Sequence, residues 1–263
     1  MNESVPPIKV HHHNQYLISF FAGREPGKRH AEERNWVDDS AIKLGTAMYA
    51  IHRGAEAIVY DTFTSVPHAE FVRFYLEKMG IRKFTVVLSH WHLDHIAGNA
   101  VFDDFAIIAT SLTRDALVRY KADIEAGKVW GPPSIAPLVF PNIMFDDHLE
   151  IRVGDIDLDL RRMNIHSIDG CVIYLPKDRL LLAGDTLEDP LTLHDRGGEP
   201  RRSRQKPQGN AELGCHQDPS TSRWPKAGSF PSNPTARYTI KISSSCTTTG
   251  KTRRCRSTLA ARS

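Results

Sequence analysis

Residues 84–95, FTVVLSHWHLDH, set an uninterrupted apolar run directly against four side chains able to bind a metal. The run Phe84–Ser89 is uncharged and carries β-branched residues, the pattern of a strand covered on both faces. Such a strand needs a sheet around it and packed layers above and below, which points to a layered α/β arrangement. At its end the spacing H-x-H-x-D-H turns His90 and His92 to one side of extended backbone, because side chains at i and i+2 point the same way. Asp94 and His95 follow where the chain turns. Neutral imidazole and carboxylate are the usual ligands of zinc, and a catalytic site keeps one position open to water. A surface cluster of solvated histidines is the plain alternative, and the buried-strand context weighs against it.

Residues 1–190 alternate strand and helix signals around this motif. Strands are expected at Tyr16–Phe21, Thr46–His52 and Ala57–Asp61, the last two joined by a turn at Arg53-Gly54. His68–Met79 spaces Phe71, Phe74, Tyr75 and Met79 as one helical face, with Gly80 as the stop. Ser111–Ala126 repeats Leu112, Ala116, Leu117, Tyr120 and Ile124 on one face. Ile151–Leu160 alternates apolar and acidic residues as a strand does, and Val172–Leu175 and Leu180–Ala183 flank a turn at Pro176-Lys177-Asp178.

The 263 residues, 40% hydrophobic and 25% charged, suit one or two soluble domains and exclude a fibrous or fully disordered chain. No apolar run reaches the roughly 18 residues of a membrane span. The four cysteines are too scattered for a disulfide framework. With no basic segment, apolar core and cleavage site at the N-terminus, a cytoplasmic location is the expectation. His11-His12-His13 is read as a solvated tract, and Cys171 as a small buried hydrophobe. Packing is the default role for Trp91 and Trp130, with walling of a substrate pocket as the alternative.

The motif resembles the signature of the metallo-β-lactamase superfamily of metal-dependent hydrolases. Later landmarks agree in order: His166 in IHSIDG, and Asp185 in LLLAGDTLED nineteen residues further on. The resemblance covers roughly residues 16–190. It implies a four-layer αβ/βα sandwich with the site at one edge of paired sheets. His90, His92 and His166 would hold one ion, and Asp94, His95 and a bridging Asp185 a second. The ions, zinc by the H-x-H pattern with iron or manganese also open, would activate water against an ester, thioester, lactone, lactam or phosphoester. Asp94 would be the catalytic proton shuttle. Related single-iron sulfur dioxygenases share H-x-H-x-D-H, and a catalytically impaired member is a further alternative. The expected partner is a small-molecule substrate.

The pattern breaks after Pro190. Residues 191–263 hold 14 Lys and Arg against 4 Asp and Glu, a balance of +10, which leaves −7 on residues 1–190 of a chain whose net charge is +3. Only nine of these 73 residues are Ile, Leu, Val, Met, Phe, Trp or Tyr, too little apolar surface to offset ordering entropy. Face value gives a poorly packed basic tail and a sandwich whose second half is incomplete. A sharper reading is a reading-frame slip near Leu193. Codons for Glu212–Trp224, read one nucleotide later, permit S-L-G-A-T-K-I-L-P-H-H-G-G, like the strand and His-Gly turn the resemblance requires. His216 is a weak stand-in for the missing final ligand. The basic tail alone invites nucleic acid, but it lacks interleaved aromatics or a known module.

Overall fold

The protein is seen here as a computed structural model that describes residues 8–23 and 27–187. The expected tail 191–263, its boundary at 190, and His216 lie outside the described residues. Strands β1 (Ile8–His12), β2 (Leu17–Ala22), β3 (Thr46–Arg53), β4 (Glu56–Tyr60), β5 (Lys83–Val87), β6 (Ala106–Thr110) and β7 (Ile143–Phe145) form one sheet in chain order. β1 to β4 pair antiparallel, and β4 to β7 pair parallel. The switch follows the connections, since parallel neighbours need a crossover. Helix α1 (Ile42–Leu44) precedes β3, α2 (Val66–Lys78) links β4 to β5, α3 (Leu93–Ile96) lies between β5 and β6, and α4 (Ser111–Glu125) links β6 to β7. A second sheet, β8 (His148–Val153), β9 (Ile156–Arg162), β10 (Cys171–Leu175) and β11 (Leu180–Leu182), is antiparallel throughout.

The large sheet is buried on both sides, as its apolar strands require. On one face Phe20, Met48, Val59 and Val86 pack with Val72 and Leu76 of α2 and with Leu117 and Ile124 of α4. On the other, Ile51, Ile58, Val87 and Ile108 meet Leu158, Leu160, Ile173 and Leu175 of the small sheet. Each such buried side chain contributes about 1.5–3 kcal/mol, so the inter-sheet layer is a main source of cohesion. These are the helix, sheet and sheet layers of the expected sandwich. Among the described residues no helix covers the outer face of the small sheet.

Three expectations are corrected. The alternation over Ile151–Leu160 belongs to two strands. β8 and β9 pair Val153 with Ile156 around Gly154-Asp155, and Gly154 has φ of 56°. The inward apolar positions run 151, 153 and then 156, 158, 160, so the two-residue turn shifts the alternation by one place, and Gly154-Asp155 marks the break. Helix α2 begins two residues earlier than expected, where the Ser65 hydroxyl accepts from the His68 N–H. It buries Ala69, Val72 and Leu76, while Phe71, Phe74 and Met79 are exposed. The aromatic spacing was helical but marked the outer side. The tract His11–His13 is solvated as expected, yet His11 and His12 belong to edge strand β1, where His12 Nε2 lies 2.8 Å from the Tyr75 hydroxyl. Cys171 is buried, and α4 starts on an accepting Thr110 hydroxyl.

Candidate metal centre

The end of β5 and the two connections of the small sheet converge on one point. After β5 the chain bends at Ser89 and again at Trp91, and His92, at ψ of 149°, leads into α3 (Leu93–Ile96). His90 is 2% exposed and His95 3%. His166 arrives on the loop between β9 and β10, and Asp185 on the turn that follows β11. The Cys171 N–H donates to the Ser89 carbonyl at 2.6 Å, tying the first residue of β10 to the residue before His90. Gly184 fits both its backbone and its neighbours. Its φ is 52°, and a Cβ there would lie 3.0 Å from the Tyr60 hydroxyl and 3.2 Å from Ser89 Cβ.

Five of the six expected ligands fall into two overlapping groups, His90–His92–His166 and His90–His95–Asp185. Within each, one ligand atom per residue lies within 4.8 Å of the others. His92 Nδ1 is 3.1 Å from His166 Nε2, and His95 Nε2 is 3.3 Å from an Asp185 oxygen. Asp94 stands beside these groups, its carboxylate 3.6 Å from His95 Nε2 and partly open to solvent. His90 Nε2 is buried with no hydrogen-bond partner. A buried polar nitrogen without a partner carries a desolvation cost, and a cation among the surrounding imidazoles and carboxylate would satisfy it. The donor set therefore fits a divalent metal ion.

Electrostatics support the same fit. Burial pushes the His90 imidazole well below its ordinary range, with His95, His92 and His166 adding to the effect, so it is neutral and ligand-ready at neutral pH. Burial also opposes charge on His95. The carboxylates of Asp94, Asp185 and Asp61 outweigh it and raise His95 well above the usual value. Burial would raise Asp185, yet the charge and hydrogen bond of His95, with His166 and His92 behind it, hold its carboxyl down at about 2.

The orienting groups around this cluster were not anticipated. Asp61, at φ of 69° just past β4, accepts from His95 Nδ1 at 2.8 Å and from the Ser89 N–H at 2.6 Å. Ser89 Oγ lies 2.9 Å from His90 Nδ1. Holding the outer nitrogen of each ring leaves Nε2 facing inward, the usual way a ligand histidine is aimed. Asp169, 1% exposed, accepts from the Trp91 N–H at 2.9 Å, the Thr113 hydroxyl at 2.8 Å and the Ser167 hydroxyl at 2.6 Å. It thereby fastens the His166 loop to the residue between His90 and His92. The available signal was positional: Asp61 ends an apolar strand next to the motif strand, and Asp169 follows His166 by three. Trp91 stacks on Tyr120 at 4.8 Å, and the Trp130 indole lies 5.3 Å from the His92 ring.

Comparisons with known proteins agree with this geometry. The model of the metallo-beta-lactamase superfamily matches residues 42–229, more than two-thirds of the chain. A lactamase-like protein of Pestalotiopsis microspora is 33% identical over 86 residues, which are 32% of this chain and 27% of that protein. The aligned part is thus about a quarter of that relative's length. Among solved structures, a metallo-beta-lactamase from Pontibacter korlensis superposes with a TM-score of 0.53 at 14% identity, covering 70% of this chain and 74% of its own. The DIM-1 metallo-beta-lactamase gives 0.52 at 19%, covering 69% and 71%. These likenesses speak for the fold, and the family match, with the ordered histidines and aspartates, establishes that the chain belongs to the metallo-beta-lactamase superfamily.

Proposed function

We propose that the chain is a metal-dependent hydrolase, with zinc as its metal and an ester, thioester, lactone, lactam or phosphoester as its substrate. The carrying observation is the partnerless His90 Nε2 at the meeting point of the His92, His166, His95 and Asp185 donors. His90, His92 and His166 would hold one ion, and Asp94, His95 and Asp185 a second. A bound ion of this kind supplies Lewis acidity and lowers the pKa of water to near neutrality. The chain's own part is orientation and proton handling. Asp61 and Ser89 fix the rings of His95 and His90 through their Nδ1 atoms, and Asp169 fixes the loop of His166. Asp94, partly exposed with Oδ2 3.6 Å from His95 Nε2, would accept a proton and return it to a leaving group.

The test is elemental analysis of the purified full chain, with turnover of a panel of esters, thioesters and lactones. The reading expects zinc at one or more per chain, lost in His90→Ala. It also expects turnover that falls about 10²–10⁴-fold in Asp94→Ala, the usual contribution of a positioned acid or base. A chain that takes up no metal, or that turns over equally well without Asp94, sinks the proposal.

A further inference from the structure

Beside the metal centre two tryptophans touch and are treated oppositely. Trp36 is 4% exposed, while Trp130, 6.0 Å from it and packed edge to face, is 46% exposed. The exposed indole is the one beside the ligand cluster, 5.3 Å from His92. Its backbone sits at φ of 59°, a region bulky L-residues rarely adopt. The surroundings impose that conformation. Trp36 donates through its backbone N–H to the Pro132 carbonyl at 3.0 Å and through Nε1 to the Pro133 carbonyl at 2.9 Å. Further along, the Leu138 N–H donates to Glu125 at 3.0 Å. A tryptophan serving only as packing would turn its large apolar face inward beside Trp36. This one is held out of the core, against a ring that belongs to the metal cluster.

Two more exposed apolar side chains adjoin the other ligand segments. Ile168, two residues after His166, is 50% exposed, and Leu187, two residues after Asp185, is 69% exposed. Three of the chain's exposed large hydrophobics thus stand next to His92 in space, or next to His166 and Asp185 in sequence. Trp130 is the one seen against a ligand ring, and exposed apolar surface beside a polar site is the mark of a ligand-binding wall.

Resting on the hydrolase reading, we propose that Trp130 is the specificity-determining wall of the site and that it selects substrates carrying an apolar chain or ring on the group retained after cleavage. Trp130 touches no reacting atom in this role. It strengthens binding of the substrate by covering the apolar group as that group leaves water. Roughly 100 Å² of indole is open, about half the area of a large aromatic side chain. At about 25 cal/mol per Å², covering it corresponds to an affinity gain on the order of 10–100-fold.

Calorimetric titration of the zinc-loaded full chain with octanoate and acetate tests this, since both carry the carboxylate an ester or lactone would release. The wild type is expected to bind octanoate at least tenfold more tightly than acetate. Trp130→Ala should lose that preference with zinc content and acetate affinity unchanged. Trp130→Gly should do the same, and it relieves the left-handed backbone, so misfolding would not explain its result. A zinc-loaded wild type without the preference, or variants that keep it, would overturn the wall and leave the hydrolase reading standing. A chain that takes up no zinc would overturn that reading and the wall together.

Discussion

Asp169→Ala tests how far the centre depends on one carboxylate that binds no ion in this reading. The side chain is 1% exposed and accepts three hydrogen bonds, from the Trp91 N–H, the Thr113 hydroxyl and the Ser167 hydroxyl. The three donors do not suffer equally when it is removed. Thr113 Oγ1 lies 3.0 Å from Thr110 Oγ1 and can turn to it. The Ser167 hydroxyl can also rotate, whereas the Trp91 N–H is fixed by the backbone. One stranded donor costs about 1–3 kcal/mol, and the two re-paired hydroxyls each lose roughly 0.5–1 kcal/mol. The expected loss of stability is therefore about 3 kcal/mol, read as a lower urea midpoint in the chelator-treated protein. Because the same carboxylate joins the His166 loop to the residue between His90 and His92, zinc affinity should also fall about 10–100-fold. A stability loss under about 1 kcal/mol together with unchanged zinc affinity would refute the reasoning, since the geometry leaves no route by which both survive.

Further outcomes follow from two buried positions that bind no ion in this reading. Burial, reinforced by His30 and opposed by Asp38, lowers the His68 imidazole to about 4. The unfolded chain therefore takes up the proton first on acidification. The stability is fully present above about pH 6.5 and drains as pH falls toward 4, by about 2 kcal/mol between pH 8 and pH 5. In urea titrations His68→Gln should show a pH dependence smaller by that amount, and identical slopes in the two proteins would contradict it. A Cβ added at Gly98 would sit 2.2 Å from both the Thr62 carbonyl oxygen and Ala69 Cβ. Thr62 is held by two bonds to the His95 carbonyl, so the backbone has little room to yield. Gly98→Ala should cost about 3 kcal/mol, and a change within 0.5 kcal/mol would show that the turn relaxes freely.

What was legible in the sequence was the chemistry that depends on near neighbours. The H-x-H-x-D-H spacing needs only a strand end to make sense, and the order of His166 and Asp185 completed it. Most strands and both long helices came through for the same reason, while β1, β6 and β7 were not anticipated. Faces and partners did not. The spacing of Phe71, Phe74 and Met79 is as helical as that of Ala69, Val72 and Leu76, and only the sheet beneath decides which set is covered. Gly154-Asp155 did leave a local mark, the three-residue step from Val153 to Ile156 that breaks the alternation. Asp61 and Asp169 work through atoms as far as 78 residues away, a relation that no local pattern records.

The five gathered donors are spread along the chain in a way that orders events during its synthesis. His95 and Asp185 stand 90 residues apart, and the nearer sheet contributes imidazoles long before the farther one supplies its carboxylate. A nascent polypeptide would thus carry three early histidines with no enclosed pocket to put them in. Cation uptake would come late, after residue 185 has emerged and the small sheet has closed against the large one. Loading would then act as a final lock on a body already assembled, and chelation of the finished protein should loosen the seam between the sheets before it disturbs either sheet.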